Sequence, residues 1–405
     1  MNVASLVAGI EALNKDDVGT TGPGLAKRSL TVLSGAGASI YAGAPSTAQL
    51  TASIAKRRIA GEVLRILQSA DPSRNFEDVL HVLEELELLC DNSAPPRATA
   101  TLRPFVQISD LGKSFSSDRL ALRRERLAIL ELIAASLSGI DYSNWMPLYR
   151  ILRPFLDEYN IRYFTLNYDV LTDVVAEILA RRAAKYWYDG FGARPVAMDG
   201  TVLFRADEYA NPPFERPAHI TVGHLHGSIC YSYWSTDKRL AHSNEFEIAS
   251  APSLQRAEEN WRIFHALANQ GDIELGSVAP IVSGLRKSDK LNLSPYGNYL
   301  HAFVESLSNN PALLLIGYGG NDPHVNFWLR EFTTIHVRRA RVIDITAESD
   351  PGRFALSRIG RDLLWREGPA NVWTNARGVE GITFVGGVEG DVPIARFLAH
   401  LASGQ

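Results

Sequence analysis

Four short segments carry residues whose types and spacing could do chemistry. Gly35-Ala36-Gly37-Ala38-Ser39 follows a short apolar run. Glycines there let a backbone turn tightly and approach a phosphate with no Cβ in the way, and Ser39 adds a hydroxyl donor. A helix N-terminus after such a turn would offer free N–H groups and a positive dipole end. The third glycine of the usual dinucleotide spacing is missing, because position 40 is Ile40. Thr165-Leu166-Asn167-Tyr168-Asp169 offers an amide that both donates and accepts, and a carboxylate two residues later. His224-Leu225-His226-Gly227-Ser228 offers two imidazoles, a general base or half of a metal site. If the strand continues through them, alternation puts both rings on one face. Gly317-Tyr318-Gly319-Gly320-Asn321-Asp322-Pro323 again permits close backbone approach. Each segment taken alone is also what an ordinary turn uses.

Each segment follows a strand-like run. Ser29 to Leu33, Ile161 to Leu166, His219 to Val222 and Ala312 to Ile316 are apolar and rich in β-branched or aromatic residues. Further strand candidates are Lys185 to Tyr188, Thr201 to Phe204, Arg341 to Ile345 and Ile382 to Val385. Val325 to Ile335 reads as a helix between two continuous apolar runs, the βαβ arrangement of a parallel sheet. Ser46 precedes a helical stretch near Thr47. Asn75 to Cys90 has amphipathic spacing, with Asn75 as N-cap, and Asp118 to Leu137 is a second long helix. A last helix is expected from Val392 to Leu401. The basic run Arg119 to Arg126 falls within a helical pattern and reads as a solvated face.

Composition sets the outer limits. The chain has 405 residues, 46% of them hydrophobic and 21% charged, with a formal net charge of -4. That balance suits a globular domain with a sizeable core and gives no reason to expect direct nucleic-acid binding. Two cysteines, Cys90 and Cys230, cannot build a disulfide framework or a four-cysteine zinc site. The N-terminal stretch lacks the pattern of a secretory signal, and no apolar run is long enough to span a membrane, so a cytoplasmic location is expected.

Taken together and in order, the segments GAGAS at Gly35, GAPST at Gly43, TLNYD at Thr165, LHGS at Leu225 and GYGGNDP at Gly317 resemble the sirtuin-like superfamily. The run from Pro280 to Tyr296 is similar to its bacterial antiphage-defence branch. The resemblance spans roughly residues 29 to 346. It implies an α/β, Rossmann-like fold with a mostly parallel sheet flanked by helices. The whole chain, 1–405, would be one NAD-binding catalytic unit, with a helical lobe inserted over 52–157 and residues 351–405 completing the fold. It implies that Gly35, Ala36, Gly37 and Ser39 hold the NAD phosphates. Gly317, Gly319, Gly320 and Asn321 would lie at the adenosine half. Asn167, His226 and Asp169 would be the catalytic residues, with His226 rather than His224 as the catalytic histidine.

The chain departs from deacylating members of the superfamily in lacking the zinc module and in carrying Leu166 where they have Gln. The expected activity is therefore NAD hydrolysis to nicotinamide and ADP-ribose, with NAD as substrate, no metal, and a role in defence by NAD depletion. A non-catalytic NAD or ADP-ribose sensor, an NAD-dependent deacylase, and a metal-dependent hydrolase using His224, His226 and Asp322 are the alternatives. Expected partners are further copies of the chain and a ring-forming ATPase or sensor encoded nearby, with no membrane.

Overall fold

The computed structural model describes residues 28–89, 119–156, 159–183, 185–191, 202–206, 209, 219–234, 247–250, 281–282, 291, 294–336, 341–345 and 371–372. Cys90 and the expected elements at Ile382 to Val385 and Val392 to Leu401 lie outside them.

Six of the strand-like runs, joined by Asn371–Val372, which the sequence reading did not pick out, form a seven-stranded sheet. In chain order its strands are β1 (Arg28–Ser34), β2 (Tyr159–Thr165), β3 (Trp187–Tyr188), β5 (Ile220–His224), β8 (Ala312–Ile316), β9 (Arg341–Ile345) and β10 (Asn371–Val372). Every pairing is parallel, and the spatial order is β10-β9-β8-β1-β2-β5-β3. Without the short edge strand β3, this is the strand order of a dinucleotide-binding sheet. The chain is an α/β protein with a Rossmann-like fold. A small antiparallel sheet of β4 (Val202–Leu203), β6 (Tyr231–Trp234) and β7 (Glu247–Ser250) accompanies it. Only β4 of that sheet is legible as a run in the sequence.

Alternation along the strands divides the core into two layers. Leu30, Val32, Ile161, Tyr163, Ile220, Val222, Leu314 and Ile316 face one layer. Leu33, Phe164, Leu313 and Leu315 face the other, with Phe303 of α7 (Tyr296–Asn309) and Leu329 of α8 (Pro323–Ile335). A group of helices, most of them within the expected lobe of 52–157, supplies the first layer. Its helices are α1 (Thr47–Ile54), α2 (Arg58–Ala70), α3 (Phe76–Leu89), α4 (Arg119–Ser138) and α5 (Met146–Leu152), followed by α6 (Leu171–Arg182) after β2. Ile54, Val63, Leu80 and Ile129 share one cluster with the strand side chains, so the lobe's core is continuous with that of the sheet.

Local chemistry fixes where the lobe helices begin. Ser46 and Gln49 form a reciprocal capping box before α1, with bonds of 3.2 Å and 2.7 Å. Asn75 accepts the Glu77 N–H at 2.8 Å, as an N-cap should, and Asp78 returns a bond to the Asn75 N–H at 2.9 Å. The basic run on α4 departs from the sequence reading. Arg123, Glu125 and Arg126 are buried, because α4 packs against α2 and α3, whereas Arg124 faces solvent. Glu125 accepts a two-pronged bond from Arg57 at 3.1 and 2.9 Å and a third from the Ala60 N–H at 3.1 Å. Glu125 is thus buried with partners rather than displayed on a face. Among the described residues no helix is long and apolar enough to cross a membrane.

Candidate functional site

The register aligns the ends of four strands. Ile316, Ser34, Thr165 and His224 are lateral partners across β8, β1, β2 and β5. The four segments with chemical potential therefore leave the sheet side by side. The direction in which successive strands are added reverses between β8 and β1: β1 leads toward β2 and β5, whereas β8 leads toward β9 and β10. Ligands of open α/β sheets collect at such a switch point, outside the carboxyl ends of the strands.

At the switch point the two glycine segments lie against each other. Gly35 N–H donates to the Ile316 carbonyl at 3.0 Å, and Gly37 N–H to the Gly317 carbonyl at 3.0 Å. A Cβ on Gly37 would stand 2.8 Å from the Gly317 Cα. Gly317 itself has φ +60. The chain then makes two short 3-10 turns, Ala36–Ala38 and Ile40–Ala42, and α1 starts only at Thr47. This corrects the sequence reading of a helix N-terminus with free amides directly after the glycines. The Gly35 and Gly37 amides are engaged by β8 and its loop, and what these glycines provide is close approach between two loops. Ala36 is exposed and Ser39 is buried beneath it. On the other loop Gly319 and Asn321 are exposed, while Gly320 is buried with φ +70 and accepts the Asn326 side-chain amide at 2.8 Å.

Asn167 and Asp169 converge on Ser39. The Asn167 side-chain amide donates to Ser39 Oγ at 3.0 Å, and the Ser39 hydroxyl donates onward to the Asp169 carboxylate. Asp169 also accepts the Leu171 N–H at 3.0 Å at the start of α6. Burial pushes the Asp169 carboxyl up, against the pull of these donors and of His224. Asp169 thus orients Ser39 and the first turn of α6 rather than facing an open cavity.

The two histidines part company because β5 ends at His224. The condition for both rings to share a face, a strand continuing through His226, is not met. His224 Nε2 lies 2.9 Å from Asp173 Oδ2 of α6, and its Nδ1 lies 3.4 Å from the Asn167 carbonyl. Burial opposes charge on this ring, but the Asp173 carboxylate and the two hydrogen bonds shift its pKa upward overall. With both nitrogens engaged as donors, His224 is a positioning residue. His226 sits in the following turn, which Gly227 completes with φ +82. The His226 carbonyl accepts the Val282 N–H at 2.7 Å. His226 Nε2 lies 3.1 Å from His324 Nε2 and 3.8 Å from Asp322 Oδ1, at the start of α8. Tyr168 lies beside it, with ring centres 6.5 Å apart, and its hydroxyl is 3.1 Å from Glu77 Oε1 of α3. Asp173, His324, Tyr168 and Glu77 are the residues that the sequence reading missed. Asp173 and His324 each fall in the first turn of a helix that follows a chemistry-bearing segment, which was the available signal.

Asp189, after β3, belongs to the electrostatic surroundings of this network. Burial pushes its carboxyl up to about 7; the Phe191 N–H opposes the shift and the charge of Asp173 adds to it. Its folded pKa is raised, so the unfolded chain ionises first as pH climbs from about 4. The folded state loses stability up to pH 7, with no further loss above. Asp189→Asn keeps the oxygen that accepts the Phe191 N–H at 2.9 Å. Its stability over the parent should open between pH 4 and 7 and stay flat above. The full shift corresponds to about 4 kcal/mol, and partial exposure of the residue reduces this to about 2 kcal/mol. Denaturant melts at pH 4.5 and 8 measure it, and a variant less stable than the parent at pH 8 contradicts the assignment.

No protein-family model matches the sequence, and no curated protein matches it.

Proposed function

We propose that the chain hydrolyses NAD at the nicotinamide–ribose bond. The observation that carries this reading is the 3.0 Å bond from the Asn167 amide to Ser39 Oγ. It joins the Asn-x-Asp segment to the glycine segment at the switch point of a sheet with dinucleotide-binding strand order. Support also comes from the division of labour between the histidines. His224 is held by Asp173, which leaves His226 as the imidazole suited to move a proton.

In this reaction the C1′–N bond breaks and its electron pair leaves with nicotinamide, which is neutral once released. The ribose develops oxocarbenium character, water attacks C1′, and ADP-ribose results. Asn167 orients the ribose or the attacking water. His226 accepts the proton of that water. Asp169 acts through Ser39, keeping Asn167 in place. The glycine segments allow the dinucleotide to lie close to the backbone. A cytoplasmic effector that depletes NAD during phage infection, assembled from several copies and controlled by a partner, is the setting proposed with this activity.

The experiment is incubation of purified chain with NAD, with nicotinamide and ADP-ribose separated by chromatography. Release is expected from the parent, and Asn167→Ala should be slower by about a hundredfold. Tight NAD binding with no release, alone and with neighbouring gene products added, would replace the hydrolase by a sensor. Release that is untouched in Asn167→Ala would remove the role given to this amide.

A further inference from the structure

His226 comes from the turn after β5, and Asp322 and His324 from the start of α8 after β8; the two strands are separated in the sheet by β1 and β2. One donor atom from each of the three residues nevertheless lies within 4.8 Å of the other two. The His226 Nε2 is 3.1 Å from His324 Nε2 and 3.8 Å from Asp322 Oδ1. Tetrahedral ligands at about 2.1 Å from a dication stand about 3.4 Å apart, and the two observed distances bracket that value. We propose that these three side chains form a binding site for a divalent transition metal of the Zn2+ class, with a fourth position open to solvent or ligand.

Two imidazoles and one carboxylate suit Zn2+ and its neighbours in the first transition row, whereas Mg2+ and Ca2+ prefer oxygen throughout. The surroundings have the right sign. The Glu77 carboxylate lies 3.1 Å from the Tyr168 hydroxyl and Asp322 Oδ1 lies 3.8 Å from His226 Nε2, so two carboxylates face this corner. The first turn of α8 presents a positive dipole end, which opposes a cation; Asp322, as its N-cap residue, sets a full negative charge against it. His226 is 2% exposed and pinned through its carbonyl by Val282, so little side-chain freedom remains to be lost on binding.

One consequence rests on the proposed NAD reading. A bound ion takes the Nε2 lone pair of His226, the residue assigned to accept the proton of water. Metal occupancy therefore silences the reaction, and metal removal releases it.

The test uses the full chain after chelator treatment. Zn2+ is titrated by calorimetry and Co2+ by its visible ligand-field absorption. One ion per chain and a tetrahedral Co2+ band are expected. Affinity should fall at least about a hundredfold in His324→Ala and in Asp322→Asn, with circular dichroism unchanged. His324→Gln serves if the alanine variant misfolds. Absence of binding, or equal affinity in the parent and these variants, overturns the site. NAD cleavage is followed in parallel, each protein against its own metal-free rate. Inhibition at one equivalent of Zn2+, reversed by chelator and needing more Zn2+ in His324→Ala, supports the silencing; stimulation overturns it. One bound ion with no cleavage in either state, alone and with neighbouring gene products added, upholds the site and removes the NAD reading instead.

Discussion

His226→Ala is expected to slow NAD cleavage about a thousandfold while leaving the fold intact. The loop that carries this residue does not depend on the imidazole. Gly227 N–H bonds to the His224 carbonyl at 3.1 Å, Val282 N–H bonds to the His226 carbonyl at 2.7 Å, and Gly227 supplies the positive φ. Removing the ring therefore removes a proton acceptor with its 3.1 Å bond to His324 and its contact with Tyr168, while the backbone bonds of the loop remain. His224→Ala should behave differently. That ring holds Asp173 at 2.9 Å within a buried network, so its loss strands a carboxylate and lowers stability first. Added imidazole should restore part of the activity of His226→Ala, because a small base can enter the space vacated by the ring. Parallel activity and melting measurements separate the two histidines. Near-normal turnover in His226→Ala, or a fully stable but inactive His224→Ala, would reverse the assignment.

The sheet was legible because its strands are buried on both faces and read as continuous apolar runs, as in Ala312 to Ile316. The helix starts at Ser46 and Asn75 were legible because capping is local: the residues that bond are three or fewer apart. What was hidden depended on where the chain goes after a strand ends. Alternation would have kept His224 and His226 together, but the strand stops at His224 and the turn redirects the next imidazole toward α8. His324 is 98 positions away, and its meeting with His226 is set by loops whose path depends on Gly317 and Gly320 at positive φ. No periodicity records such a path. Arg123 and Arg126 misled for a related reason. Charge within a helical pattern reads as a wet face until the packing of α2 and α3 against α4 is known. The glycine segment was found by its composition, yet its amides serve β8, because glycine signals close approach without saying what approaches.

Gly317→Ala should cost about 4 kcal/mol, the largest stability loss expected from a single added methyl at the site. Two effects combine there. The residue has φ +60, which an L side chain adopts at a cost of about 1–2 kcal/mol. The new Cβ would also stand 2.3 Å from the Ala38 nitrogen and 2.4 Å from the Gly37 carbonyl carbon. Those are backbone atoms with no rotamer to yield, so the two loops must separate, and the Gly37 N–H bond to the Gly317 carbonyl goes with them. Gly43→Ala isolates the first effect. Its φ is +92 and nothing lies within 4 Å of the added carbon, so only the backbone strain of about 1–2 kcal/mol is expected. Denaturant midpoints of the two variants give the difference directly. A Gly317→Ala loss no larger than that of Gly43→Ala would mean that the glycine segments do not pack as tightly as their hydrogen bonds require. Because the same contact holds Ser39 beneath Asn167, a true separation of the loops should also slow NAD cleavage under conditions where the variant remains folded.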